Sequence, residues 1–313
     1  MTQLIREQVM QASQQWIASF NQGDTNACIA RYLPEAQMQV SPFGRFEGIE
    51  AIAGFWQQFS QSNPGNLVYR NIDIKVLNEK QAILSANWTM NIASGFISKE
   101  LWVQSDDGQW YLAEDDFSVL SQHQVPLQDA MRTALIIVDL QNDYFANGRF
   151  PLKDTGAAAD KARKLLSHFR KKAQPVIHIQ HIFENKDAPF FAPNTTGAEI
   201  YPDLAPKDDE TLIVKHQINS FTGTHLEQTL VELGIDKLVI VGAMAQACIQ
   251  SITRSAAEKG YQCQVIQEAV AAPALEYQGL SLSGEQMLAS SLVALTFGMA
   301  EIKTADEWLT ENK

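Results

Sequence analysis

The sequence predicts two domains of different class: an α+β domain in the N-terminal half, then an α/β domain with a doubly wound, mostly parallel sheet. Three observations lead there. Helical patterns open the chain and give way to alternating strands as far as residue 120. Beyond residue 133, short apolar runs alternate with helical segments. Between them lies SQHQVPLQDAMRT, Ser121 to Thr133, polar, proline-containing and without an apolar period. Helices followed by an antiparallel meander form the α+β pattern, whereas strand-helix alternation gives a parallel sheet covered on both faces. The boundary is set near Val125, giving domains 1–125 and 126–313. At 313 residues and 45 % hydrophobic, each part can bury its own core.

Formal net charge is −12, and no basic run or basic helical face interrupts it. Nucleic acid and anionic membrane are therefore not expected as partners. The opening MTQLIREQVMQASQQWIASF is amphipathic rather than an apolar signal core, and no stretch approaches about 20 apolar residues. A cytoplasmic location is expected. Cys28, Cys248 and Cys263 are too few and too scattered for a disulfide framework or a zinc site.

In the N-terminal half, Val9, Ala12, Trp16, Ile17 and Phe20 fall at helical spacing, predicting a helix from Ile5 to Phe20 that stops at Asn21, Gly23 and Asp24. A second short helix is expected from Thr25 to Tyr32, capped by Asp24 or Thr25. MQVSPFGRFEG reads as strand and turn and Glu50 to Phe59 as a third helix. LVYRNIDIKVL, AILSANWTMNI, FISKELWVQS and WYLAEDDFSVL then alternate as strands. With its FNQGDTNACIARYLPEA, GRFEGIEAIAGFW and DGQWYLAEDDF segments, Leu4 to Leu120 resembles the NTF2-like superfamily, specifically its SnoaL-like branch. That resemblance implies a curled sheet around a long helix, a cone-shaped pocket for binding or catalysis, and an outer sheet face that dimerises. Trp56, Trp88, Met90, Trp102, Glu114 and Asp116 are the candidates to line the cone. No histidine-carboxylate pair stands out there, and His123 falls in the join.

In the C-terminal half, ALIIVD, PVIHIQ, TLIVKH, KLVIVG and CQVIQEA read as strands. Helices are expected over Thr155–Lys172, Thr224–Leu233, Cys248–Lys259 and Gly284–Thr296, with a last strand at Ala300–Lys303. In such sheets ligands bind beyond the carboxyl ends of the strands. Asp139 ends its strand, Lys215 ends its own, and Cys248 follows LVIVG by a short turn, so all three fall on one rim. Read singly, each is ordinary: a solvated charge or a small buried thiol. Together they are complementary, since a carboxylate can take a thiol proton and an ammonium can stabilise the thiolate. A cysteine opening a helix is expected to have a depressed pKa.

LIIVDLQNDYF, GAEIYPDLAP, VKHQINSFTGTHL and VGAMAQACIQSITRSAAEKGY, in that order from Ala134 onward, resemble the isochorismatase-like cysteine hydrolases, a group that includes nicotinamidases and carbamoyl-amide hydrolases. The resemblance implies a catalytic Asp139, Lys215 and Cys248 and a cis peptide between Ala243 and Met244. It also implies an oxyanion hole from the Met244 and Cys248 N–H groups. Glu268 and Met287 depart from the pattern, where Asp and often His are usual. Nicotinamidases hold a metal through an Asp-x-His segment that is absent here. His178 and His181, an odd number apart on one strand, face opposite ways and are expected to be structural. No cofactor and no metal are therefore expected. Gln141, Asn142, Phe145, Phe183 and Tyr201 are the candidate substrate-pocket residues, and Asp143, Phe190 and Phe191 lie near them.

The function expected is a metal-independent cysteine hydrolase acting on a small amide-like C–N bond through a thioester. Its N-terminal module would serve ligand binding or dimerisation, in a homo-oligomer of two or more copies. The alternatives are a non-catalytic scaffold that binds ligands and oligomerises, a vinyl ether hydrolase of the isochorismatase type, and an isomerase or cyclase in the N-terminal pocket.

Overall fold

The computed structural model describes residues 2–123 and 132–313. The expected boundary near Val125 lies outside the described residues. Two compact units are formed, one N-terminal and one of residues 132–229 and 235–313.

In the N-terminal unit, α1 (Thr2–Asn21) buries Ile5, Val9, Ala12, Trp16 and Phe20 on one face. It ends where Gly23 adopts a positive φ of 73°. Asp24 then caps α2 (Thr25–Ile29) by accepting from the Ala27 N–H. α2 is shorter than expected: Tyr32 already begins β1 (Tyr32–Ser41). β2 (Gly44–Glu47) and α3 (Gly48–Ser60) follow. The meander is β3 (Val68–Asn78), β4 (Gln81–Thr89), β5 (Ala93–Gln104) and β6 (Trp110–Gln122). These make a six-stranded sheet in the order β2-β1-β6-β5-β4-β3, antiparallel except for the parallel β1–β6 pair. Helices α1 and α3 pack on it through Val9, Trp16 and Ile52.

In the C-terminal unit, β7 (Thr133–Val138), β8 (Val176–His181), β9 (Thr211–Lys215), β10 (Lys237–Ala243), β11 (Gln262–Ala271) and β14 (Glu301–Lys303) form a second six-stranded sheet. Its order is β14-β11-β10-β7-β8-β9, and every pairing is parallel. The helices are α4 (Thr155–Lys171), α5 (Leu226–Glu232), α6 (Gln250–Glu258), α7 (Gly284–Leu295) and α8 (Ala305–Glu311). A hairpin of β12 (Leu275–Tyr277) and β13 (Leu280–Leu282), together with α8, was not anticipated from the sequence. Burial on both faces explains the unbroken apolar runs: Leu135, Ile136, Ile137 and Val138 in β7 are all within 2 % of full burial. Gly242 has φ +131°, and a Cβ there would stand 2.0 Å from the Val138 carbonyl oxygen, so β10 can approach β7 only with glycine at this position.

The helix expected to open at Cys248 starts earlier. Ala245–Ile249 forms a π turn, closed by the Ile249 N–H on the Met244 carbonyl at 3.2 Å, before α6. The wide turn inserts between strand and helix and sets Cys248 one turn further in.

Candidate active site

β7 and β9 stop at the same rim of the parallel sheet, and the turn after β10 returns to it. Asp139 follows β7 in the left-handed region at φ +51°, a conformation few non-glycine residues adopt. Lys215 ends β9, its Nζ 2.9 Å from Asp139 Oδ2 and 2.8 Å from the Ile218 carbonyl oxygen. Cys248 Sγ lies within 4.8 Å of the Asp139 carboxylate and interacts electrostatically with Lys215. All three are buried, Asp139 and Lys215 completely and Cys248 with 3 % exposed. Three groups separated widely along the chain therefore meet at one point.

The electrostatics are those of a closed site. Burial, and then the Asp139 charge, pushes the Cys248 thiol up to about 12, with Lys215 opposing. The depressed thiol expected from a helix start is thus corrected: desolvation outweighs any helix-terminus effect, and the thiol keeps its proton at rest. Burial alone would lower Lys215, but Asp139 and Cys248 hold it above its ordinary value.

His181, expected from the sequence to be structural, stands beside Asp139 and Cys248. It is the last residue of β8, paired in register with Lys215, and belongs to the same rim. The strand-end rule that singled out Asp139 and Lys215 would have found it had β8 been drawn one residue longer. Its ring offers an atom within 4.8 Å of both the Asp139 carboxylate and Cys248 Sγ. Burial lowers its pKa, against the pull of Asp139. His178 faces elsewhere, donating from Nε2 to Glu210 Oε2 at 2.9 Å. Arg170, the Lys207 N–H and His178 hold Glu210 at about 2 despite its burial. Asp139, His181 and Cys248 have the make-up of a metal-binding set, but the Lys215 ammonium already occupies the Asp139 carboxylate.

The expected pocket residues divide. Gln141 is fully buried and its amide is committed to backbone: Oε1 accepts from the His181 N–H at 2.7 Å, and Nε2 donates to the His181 and Ala198 carbonyls at 2.8 and 2.7 Å. It holds the end of β8 through these bonds, where a substrate contact had been expected. Asn142 donates to the Thr196 carbonyl at 2.8 Å. Phe145 stacks on Tyr201 with centroids 3.7 Å apart, and Phe183 packs on the His181 ring at 4.4 Å. Asp143 is a loop clamp: its carboxylate accepts from the Arg149 and Phe191 N–H groups at 3.0 and 2.7 Å. The Ala243–Met244 peptide is cis. Glu268 accepts from the Ala305 N–H at 2.7 Å, at the start of α8.

In the N-terminal unit a cavity of about 1040 Å³ is lined by Phe55, Trp56, Phe59, Trp88, Met90 and Phe117 among others. Trp56, Trp88 and Met90 were expected there. Glu114 and Asp116 were as well, but Asp115 is the carboxylate that turns inward, accepting from Tyr32 Oη at 2.5 Å. Register shifts between β5 and β6 near Ala113, where Trp102 faces Leu112 but Leu101 faces Glu114. That extra residue inverts the alternation. Trp102 is core, its Nε1 donating to Glu100 Oε2 at 2.8 Å.

A parallel α/β unit that gathers a buried thiol, carboxylate and ammonium at the carboxyl ends of its strands defines a class of candidate nucleophilic enzymes. Residues 133–290 match the isochorismatase domain family, and the chain belongs to that family. It is 44 % identical over 179 residues to the isochorismatase family protein YddQ of Bacillus subtilis, covering 57 % of this chain and 99 % of that one. N-carbamoylsarcosine amidase of an Arthrobacter species is 27 % identical over 157 residues, covering 44 % of this chain and 59 % of the amidase. The crystal structure of an isochorismatase hydrolase from Oleispira antarctica superposes with a TM-score of 0.55 at 42 % identity, covering 57 % of this chain and 96 % of that one. Relatives named for an activity are hydrolases. Among the described residues no helix is long and apolar enough to cross a membrane.

Proposed function

We propose that the C-terminal unit, residues 126–313, is a metal-independent cysteine hydrolase cleaving a small amide-like C–N bond. The observation that carries this reading is the buried meeting of Asp139, Lys215 and Cys248. Asp139 takes the Cys248 proton as sulfur attacks the carbonyl carbon and an S–C bond forms. The carbonyl oxygen gains the charge and is held by the Met244 and Cys248 N–H groups. The protonated Asp139 returns its proton to the leaving nitrogen as the C–N bond breaks, releasing an amine or ammonia and leaving a thioester. Asp139 then takes a proton from water, whose oxygen attacks the thioester; as the S–C bond breaks the acid is released and Asp139 returns the proton to sulfur. Lys215 pairs with the Asp139 carboxylate and favours the thiolate. Removing one oxyanion donor costs on the order of 10² to 10³ in turnover in comparable sites.

The N-terminal unit, residues 1–125, is read as an NTF2-like module. Its aromatic cavity supports ligand binding, and the exposed Val68, Phe96 and Leu120 on its sheet support pairing of two copies. A cytoplasmic homo-oligomer acting on a small molecule fits both units.

The test is a thiol-reactive acyl probe followed by mass spectrometry. Stoichiometric acylation of Cys248, with Cys28 and Cys263 spared and labelling lost in Lys215→Ala, is expected. Equal labelling of all three cysteines overturns the reading. A panel of small amides, ureas and carbamoyl compounds assayed for ammonia release then defines the substrate.

A further inference from the structure

We propose that His181 is a specificity-determining residue of this site: its Nε2 accepts the N–H of the scissile amide nitrogen, selecting amides with a hydrogen on nitrogen over esters and N-alkylated amides. This rests on the cysteine-hydrolase reading above.

His181 is 3 % exposed, and its Nε2 has no hydrogen-bond partner among the described residues. A buried polar atom left without a partner costs about 1 to 3 kcal/mol, so one held facing a reaction centre invites a ligand group. The residue is held in place by its neighbours. Gln141 bonds both the N–H and the carbonyl of its peptide. Phe183 packs on the ring at 4.4 Å, and the His216 backbone favours the charged ring. Nε2 is the ring nitrogen left without a partner, so the proton of the neutral ring is assigned to Nδ1. In the neutral ring Nε2 is then the bare acceptor.

The distances place the leaving nitrogen beside it. A carbonyl carbon in line for attack stands roughly 3 to 3.5 Å from Sγ, and its amide nitrogen is about 1.3 Å further on. One ring nitrogen of His181 lies within 4.8 Å of Sγ and of the Asp139 carboxylate, and with Nε2 in that place the leaving nitrogen falls between His181 and Asp139. Asp139 supplies the proton that the nitrogen gains, and His181 holds the hydrogen that it already has. An ester oxygen or an N-methyl nitrogen has no hydrogen to offer and leaves Nε2 unpaired.

The experiment compares the p-nitroanilide, the N-methyl-p-nitroanilide and the p-nitrophenyl ester of one small acid, using the full chain and two variants. His181→Phe keeps a ring against Phe183 and removes the acceptor, and His181→Gln restores an amide oxygen at similar reach. The ratio of kcat/KM for anilide over ester should fall about 10- to 100-fold in His181→Phe and recover in part in His181→Gln. An unchanged ratio in a folded His181→Phe overturns the inference. Should that variant fail to fold, the wild type decides: the N-methyl anilide should react about 10-fold or more slowly than the anilide, and equal rates overturn it. If the ester leaves no acyl adduct on Cys248 of the wild type, the hydrolase reading itself falls, and this inference with it.

Discussion

Asp139 Oδ2 lies 2.9 Å from Lys215 Nζ, with neither side chain exposed to solvent. Each charge is tolerated only because the other is there. Lys215→Met should therefore destabilise the C-terminal unit by about 3 to 5 kcal/mol, the usual cost of an orphaned buried charge. Asp139→Asn added to Lys215→Met should recover much of that loss. Urea denaturation of the two single variants and the double variant measures it, and strictly additive losses would contradict the pairing.

Asp139 also raises the Cys248 thiol, second only to burial. Asp139→Asn removes that charge and leaves Lys215 to pull the other way, so the thiol pKa should drop below about 12. Alkylation of Cys248 by iodoacetamide at pH 8 should then be faster in Asp139→Asn than in the wild type. Turnover should fall by at least about 10³-fold, as when one member of a catalytic set is removed. Slower alkylation would place the carboxylate's influence elsewhere.

Glu100 and Asp115 face each other in register across β5 and β6. Burial raises Glu100 to about 8, with Asp115 adding to it, and burial raises Asp115 to about 7. Tyr32 and Tyr69 donate to them from β1 and β3, and Trp102 donates to Glu100. Asp116 raises Asp115 further. Because the folded chain retains protons that the unfolded chain has released, the pair's contribution to the stability of the N-terminal unit should be complete below about pH 4 and be lost as pH rises to about 8. Asp115→Asn should flatten that slope by at least about 1.4 kcal/mol, the equivalent of one pKa unit. Tryptophan fluorescence during urea unfolding at several pH values reads this out, since five of the six tryptophans lie before residue 124. A slope unaltered by the substitution would be the contrary result.

Gln141→Leu keeps the volume and removes every bond that the amide makes. The His181 N–H and carbonyl lose their partners, whereas the Ala198 carbonyl keeps Gln180 Nε2 at 2.8 Å. A loss of about 2 to 4 kcal/mol is expected from two orphaned backbone groups, measured by the shift in urea midpoint.

Much of both folds was legible because their patterns are periodic. Alternation marked β3 to β6, and apolar runs of buried strands marked β7 to β11. Strand ends brought Asp139 and Lys215 to one rim. What escaped depended on single residues that break a period. One extra residue in β6 put Asp115 inside in place of its neighbours, one more residue in β8 brought His181 to the rim, and a π turn moved Cys248 inward from the helix start. Gln141 looked like a ligand contact because it follows a rim aspartate, yet its amide fits the backbone of the neighbouring strand. Desolvation, which sets the thiol's proton affinity, has no local sequence signal.

Since β7, β8, β9 and β10 all point the same way, their amino ends, Thr133, Val176, Thr211 and Lys237, share the margin remote from the thiol. Connections entering that margin can be lengthened, spliced or tagged without the graft approaching the chemistry. The loops leaving the other margin have no such freedom, and drift in substrate choice would have to be written there.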